Sequence, residues 1–442
     1  MRVRTPLTND SLVAESPAAP ADPAAPSAPD AARRRRRWLL AGSLAVWGPG
    51  IIVMLADGDA GCLITAAQSG AQWGYRLILP QLVLIPVLYL VQEMTVRLGV
   101  HTGLGHGALI RREFGRGWAM VSAAPMLVSA IGTLVVEFVG VAGVGELFGI
   151  SRWITVPAAT VFLIGLGLSR GYRRVERIGI AVGLAELAFV PAMLLAHPSV
   201  KAIASQLGSQ PLGQSSYLTL LAATVGAVIM PWMIFYQQGA VVDAGIKPSG
   251  LRHERRNTLA GAILTQGIMI TVIVTLAATI GRTNPNESLT SVGQIASAVA
   301  PFLGSLQAKV LVGAAILGGA LVSALVVSVA GSWGLAEVFG WKHSLNSRPG
   351  RDSAKFYLTY AAAHIAGAIL VLFSIDLVGL AIDVEVLNAL MLPLVLGFLL
   401  ALEAKTLAGR EKSRGARRLV IYGTCAIVML FGLYMVIPTL GL

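Results

Sequence analysis

From Trp38 to Pro438 the chain is a succession of apolar stretches, each about 20 residues or longer, separated by short polar loops. A stretch of that length crosses the hydrocarbon core of a bilayer as a helix, because backbone polar groups must find partners inside the segment. Barrel strands would be shorter and would alternate in polarity, which these do not. The expected fold class is therefore an all-α polytopic membrane protein. Of 442 residues, 55% are hydrophobic and 13% charged, too few polar groups to cover a soluble surface.

Eleven spans are expected, at roughly 38–68, 77–96, 117–148, 153–169, 178–197, 216–239, 257–280, 307–339, 356–376, 379–402 and 418–438. The net charge of +12 would suggest nucleic acid in a soluble protein, but here it reads as topology. Loops after the even spans are basic: Arg97, Arg111, Arg112 and Arg116; Arg170, Arg173, Arg174 and Arg177; Lys247, Arg252, Arg255 and Arg256; Lys342 to Lys355; Lys405 to Arg418. The opposite loops hold Arg76, Arg152, Lys201, Arg282 and Lys309. This asymmetry places the N-terminus in the cytoplasm and the protein in the inner membrane. Residues 1–37, rich in Ala, Pro and Ser and ending in Arg33–Arg37, read as a disordered tail. The apolar stretch that follows is too long for a signal peptide and lacks a small-residue cleavage site. Cys62 and Cys425 lie in different spans and imply neither a disulfide framework nor a zinc site.

Two spans are interrupted. In the first, Asp57-Gly58-Asp59-Ala60-Gly61 stands near mid-membrane, where each carboxylate costs at least ~2.5 kcal/mol. Gly58 and Gly61 weaken the helix there, and residues two apart share no helix face. If the chain unwinds, both carboxylates and freed carbonyls can meet one ion. No Arg or Lys lies in a nearby span to pair with them, so a bound cation is the expected counter-charge. In the sixth span, Pro231 removes a donor and frees a carbonyl about one turn earlier, near Ala227, while Met230 offers a soft thioether. Gln237 and Gln238 follow in an otherwise apolar run. Interruptions at matching places in two five-helix halves point to an inverted-repeat transporter with a midplane site. The halves are 38–197 and 216–402, with an extra helix at 418–438, all within a transporter domain over 38–442.

Several motifs resemble those of the Nramp metal-ion transporters. Ala67-Gln68-Ser69-Gly70-Ala71-Gln72-Trp73-Gly74-Tyr75-Arg76, then Arg97-Leu98-Gly99 and Thr102-Gly103, are similar to the family's first two spans. This register sets Asp59-Ala60-Gly61-Cys62 on the family's Asp-Pro-Gly-Asn. Gly171 to Glu176 resembles the loop before span 5, and Ala227 to Pro231 the Ala-x-x-Met-Pro of span 6. The resemblance implies a LeuT-type fold, two inverted five-helix repeats plus an eleventh helix, and cation import. The departures are specific. Cys62 replaces the Asn ligand, Asp57 is an added carboxylate, and Trp232 and Gln237 stand where the family has histidines. In span 3 Glu137 is kept, and Leu134 replaces an Asp. The lost positions belong to the family's proton route, so proton coupling of the usual kind is not expected. The pattern is similar to that of the divergent Nramp-related magnesium transporters.

The leading reading is a divalent-metal transporter working by alternating access. Asp57 and Asp59 would meet the ion directly or through water, with the Gly58 and Ala227 carbonyls and Met230 completing the site. Gly61, Cys62, Glu137, Gln237, Gln238 and Asn388 would line the ion path or stand behind it. Carboxylate-rich chemistry favours Mg²⁺, whereas Met230 pulls toward Mn²⁺. The alternatives are a proton-coupled Mn²⁺/Fe²⁺ importer of the usual Nramp type and a sodium-coupled amino-acid symporter, whose substrate carboxylate two acids would repel. No nucleophile–base set or nucleotide loop stands out, so no enzyme is expected. No cofactor, nucleic acid or protein partner is implied; the partners are the ion and the lipid bilayer. Glu186 reads as interfacial, Asp376, Asp383 and Glu385 as flanking the junction of spans 9 and 10, and His101 and His106 as solvated in a basic loop.

Overall fold

The computed structural model describes residues 53–54, 56–168, 184–341, 353–409 and 411–439. The tail with its arginine run, most of the first span's leading half, and the element from Gly171 to Glu176 lie outside them. Among the described residues the regular structure is helical throughout, without strands. In chain order the helices are α1 (Ala60–Trp73), α2 (Ile78–Thr102), α3 (His106–Phe114), α4 (Arg116–Leu147), α5 (Arg152–Leu168), α6 (Phe189–Leu195), α7 (Val200–Leu207), α8 (Ser215–Val228) and α9 (Pro231–Asp243). They continue as α10 (Leu251–Ala278), α11 (Ile280–Thr283), α12 (Val292–Leu303), α13 (Ser305–Phe339), α14 (Ala354–Leu372), α15 (Leu377–Thr406) and α16 (Gly415–Thr439). Among the described residues eight segments are long and apolar enough to cross a membrane, with α8 and α9 together forming one. A ninth follows if the pair Leu184–Leu195 and Val200–Leu207, bent by 107°, is a single crossing; α5, at 17 residues, is shorter.

Both interruptions are present, and local chemistry accounts for each. Residues 56–57 are helical, Gly58 bends, and Asp59 takes an extended conformation (φ −92°, ψ 179°) as N-cap of α1. Its carboxylate accepts from the Cys62 N–H at 2.7 Å, which satisfies one orphan donor of the first turn. In the sixth span α8 stops at Val228. Ile229 and Met230 are extended, and Pro231 occupies the first turn of α9, where its missing N–H costs nothing. Met230 is extended because a residue before proline is pushed out of the helical region.

The core is formed where α13 runs along α4, α10 packs on α1 and α2, and α8 packs on α15. Small residues permit the crossings nearest the breaks. A Cβ on Gly140 of α4 would stand 2.6 Å from the Ala60 Cβ of α1. Gly226 of α8 lies against the Glu385 backbone carbonyl of α15, closer than any side chain allows.

Two expected span ends are corrected. The second was expected to stop before Arg97, yet α2 continues to Thr102 and closes on Gly103 at φ 63°. Arg97 is fully buried because its charge is matched, by Glu93 at 3.4 Å and Glu403 at 3.2 Å. α15, which carries Glu403, likewise runs past its expected end, to Thr406. His106 is corrected as well. It is fully buried, edge-on to Phe235, and its Nδ1 donates to Gln238 Oε1 at 2.9 Å, while Gln238 donates its amide to the Leu104 carbonyl. Beside it, Glu337 accepts from the N–H groups of Gly107 at 2.9 Å and Ala108 at 3.4 Å, anchoring α3.

Burial lowers the His106 pKa from 6.5 to about 4. The unfolded chain then takes up a proton below pH 6.5 that the folded chain refuses until about 4. The stability held above pH 6.5 is therefore lost as pH falls through that window, by at most about 3 kcal/mol from this group. His106→Gln, compared with the wild type at each pH, should gain relative stability in thermal unfolding in detergent between pH 7 and pH 5, because this group's loss is absent from it. An equal slope in the variant would refute this role.

Candidate metal site

The two breaks face each other. The Cys62 thiol, in the first turn of α1, donates to the Ala227 carbonyl at 3.1 Å. That carbonyl is the one Pro231 leaves without its helical donor, as expected from the sequence. A cavity of about 10 Å³, room for one water, adjoins this contact and is lined in part by Cys62, Thr65, Gln81 and Ala227.

Carboxyl groups converge on the first break from several helices. Asp57 and Asp59 are both buried, 0% and 1% exposed. Glu137 of α4 accepts from the Ala60 N–H at 3.4 Å and stands beside Asp59. Glu385 of α15 packs on Gly61, accepts from Asn388 Nδ2 at 3.0 Å, and faces the charges of Asp57 and Asp59. Glu186 arrives on a 3₁₀ turn, Leu184–Ala188. A Cβ on Gly319 of α13 would lie 3.2 Å from its carboxyl and 2.6 Å from the Gly58 carbonyl, so glycine there keeps both groups at the break. The interfacial reading of Glu186 is thus corrected, and Glu385, read as flanking the junction of spans 9 and 10, is fully buried at the break. Asp376 caps α15 through the Gly379 N–H at 2.9 Å.

In four of these carboxyls one oxygen accepts from an N–H group and the other is buried without an N–H donor: Asp57 Oδ1, Asp59 Oδ2, Glu137 Oε1 and Glu385 Oε1, with Asp59 and Glu137 within reach of each other and Ser323 beside Glu137. Buried polar atoms are nearly always paired, so four orphans around one break call for a positive species there. No ion pair among the described residues reaches them. Nor do three His, Cys, Asp or Glu side chains among the described residues lie close enough to hold a metal by themselves. An ion at this place would combine carboxylates with backbone carbonyls and its own water.

The sulfur atoms are otherwise engaged. Met230 Sδ accepts from Trp232 Nε1 at 3.1 Å and from Thr133 Oγ1 at 3.6 Å. Gln237 is buried with its amide unpartnered, whereas Gln238 is spent on His106 and Leu104, away from the carboxylates. Reading the sequence missed Gln266 of α10, which donates to Asp57 Oδ2 at 3.1 Å, and Gln81 of α2, which donates to Gln266 Oε1. Their signal was available: each is an uncharged polar side chain inside an apolar span.

A sequence profile described as natural resistance-associated macrophage protein-like (Nramp) matches residues 50–438. The divalent metal cation transporter MntH of Pectobacterium carotovorum is 27% identical over 295 residues, 65% of this chain and 71% of that protein. Among solved structures, a manganese transporter of Eremococcus coleocola aligns over 88% of this chain and 86% of its own, with a TM-score of 0.72 and 19% identity. A Na⁺-coupled sialic acid symporter aligns over 88% of each chain, with a TM-score of 0.59 and 13% identity. These likenesses are to the LeuT-type fold of two inverted five-helix repeats.

Proposed function

The chain belongs to the Nramp family, and on that premise we propose that it is a divalent metal cation transporter that favours Mg²⁺, with Mn²⁺ next, and works without the family's usual proton coupling. The observation that carries the proposal is the set of four orphaned carboxylate oxygens at the broken first helix. Metal transport by the MntH relatives supports the cation class.

Selectivity follows from which donors are free. Met230 and Cys62, the soft groups, are committed to Trp232, Thr133 and Ala227. The uncommitted atoms are carboxylate oxygens, hard donors that suit an ion retaining part of its hydration. Trp232 and Gln237, where histidines were expected from the family, cannot carry a proton near neutral pH. In this reading the chain is a multi-pass protein of the inner membrane with its N-terminus in the cytoplasm, as the basic loops suggest. Alternating access would open and close the paired breaks from the two sides in turn. A substrate carboxylate, as in an amino-acid symporter, would meet unpaired negative charge here.

The test is uptake into proteoliposomes holding the purified protein, with Mg²⁺ and Mn²⁺ run separately and the lumenal pH recorded. Saturable Mg²⁺ uptake at lower KM than Mn²⁺, without lumenal acidification, is expected. Acidification in step with uptake would sink the uncoupled reading, and no saturable uptake of either ion would sink metal transport itself.

A further inference from the structure

The end of the first half-helix is gripped by one face of α10. Met54 lies one turn before the break, and its carbonyl loses its intrahelical donor when the helix stops at Gly58. Thr265 Oγ1 supplies one instead, at 2.7 Å. The adjacent Gln266 donates Nε2 to Asp57 Oδ2 at 3.1 Å. Its other end, Oε1, accepts from Gln81 Nε2 of α2. Gln81, Gln266 and Asp57 are 3%, 0% and 0% exposed, so these bonds are sheltered from bulk water.

The direction of the chain of amides is set at its Asp57 end. A carboxylate only accepts, so Gln266 must present its NH₂ to Asp57, and its carbonyl must then face Gln81. Gln81 makes the opposite flip of Gln266 unfavourable. Asp57 is thereby held by one oxygen while Oδ1 stays free of hydrogen bonds. A glutamine suits this task better than an arginine would. It stabilises the ionised carboxylate through a hydrogen bond yet leaves the negative charge uncompensated for a cation.

We infer that Gln266, oriented by Gln81, is a positioning residue for cation binding: it fixes Asp57, the carboxylate added relative to the family motif, with one oxygen turned to the cargo. This rests on the cation-transport reading above. The role is exerted on affinity, because a freed Asp57 would still be charged but would have to be ordered by each arriving ion.

Isosteric removal tests it, using Mg²⁺ and Mn²⁺ uptake in proteoliposomes. Gln266→Met should raise KM about tenfold, the scale of one lost hydrogen bond to a charged group, with Vmax within twofold. Gln81→Met should raise KM about threefold by itself and add nothing in the Gln266→Met background, since it acts through Gln266. In an Asp57→Asn background Gln266→Met should also change nothing further. A KM within twofold of wild type in either single variant would overturn the inference, and so would KM effects of the two that multiply. Gln81→Met decides the matter if Gln266→Met does not yield a monodisperse protein. Wild-type protein with no saturable uptake would instead overturn the transporter reading, and this inference with it.

Discussion

Asp59→Asn should abolish divalent-metal uptake, lowering the rate at subsaturating ion by at least about 100-fold, while leaving the protein as stable as the wild type. The substitution separates two roles of one side chain. As N-cap of α1, Asp59 accepts from the Cys62 N–H at 2.7 Å. Asparagine caps about as well as aspartate, so the first turn of α1 keeps its acceptor and the stability change should stay within about 1 kcal/mol. What is lost is one negative charge at a buried site. Two unit charges about 4 Å apart interact by about 4 kcal/mol at an effective dielectric near 20, and a divalent ion doubles that. Desolvation takes back part, and 100-fold corresponds to only about 2.7 kcal/mol. Uptake within threefold of wild type would sink the site. A matching collapse of the thermal midpoint would show that the charge serves folding instead.

How far the sequence could be read depended on whether a feature is local. The broken helices were legible because their causes lie within a few residues: Gly58 between two aspartates, and Pro231 after Met230. The Ala227 carbonyl followed from the fixed reach of a proline ring. Partners across the fold were not legible. Glu385 stands over 300 residues from Asp59 and was read as flanking the junction of spans 9 and 10, because nothing in one sequence shows that α15 brings it against Gly61. Glu186 looked interfacial for the same reason, and the shortened 3₁₀ turn that carries it inward has no sequence signature. The sulfur of Met230 could be proposed as a ligand but not seen to be occupied, since Thr133 lies about 100 positions away and Trp232 turns back on it only in three dimensions. Charged residues misled about span ends: Arg97 was read as loop because an unpaired arginine ends a membrane helix, and its pairing is visible only in the fold.

That pairing makes the second large prediction: Arg97→Met should destabilise the protein by about 3–5 kcal/mol, a fall of roughly 3–5 °C in the thermal midpoint in detergent. Methionine fills much of the same volume, so the loss is not one of packing. Arg97 pairs with Glu93 at 3.4 Å and Glu403 at 3.2 Å, and its guanidinium also reaches the Glu411 carbonyl and Ser413 Oγ at 3.3 Å. Removing it leaves Glu403 buried without its cation, although the Ser413 N–H at 2.7 Å and the Tyr422 hydroxyl at 3.0 Å still donate to it. Glu93 is less exposed to the change, because Arg255 at 2.7 Å and Arg417 at 2.9 Å remain. Neutralising the stranded partner should therefore rescue: Arg97→Met with Glu403→Gln should be more stable than the sum of the two single losses predicts. The pair Arg152–Glu146, at 2.7 Å but 22% and 39% exposed, gives the contrast, since water already solvates both groups. Arg152→Met should cost no more than about 1 kcal/mol. Equal losses at the two sites would mean that Arg97 is held by shape alone. A larger loss at Arg97 with partial rescue by Glu403→Gln would establish that α2, α10, α15 and α16 are tied together at this end by matched buried charge.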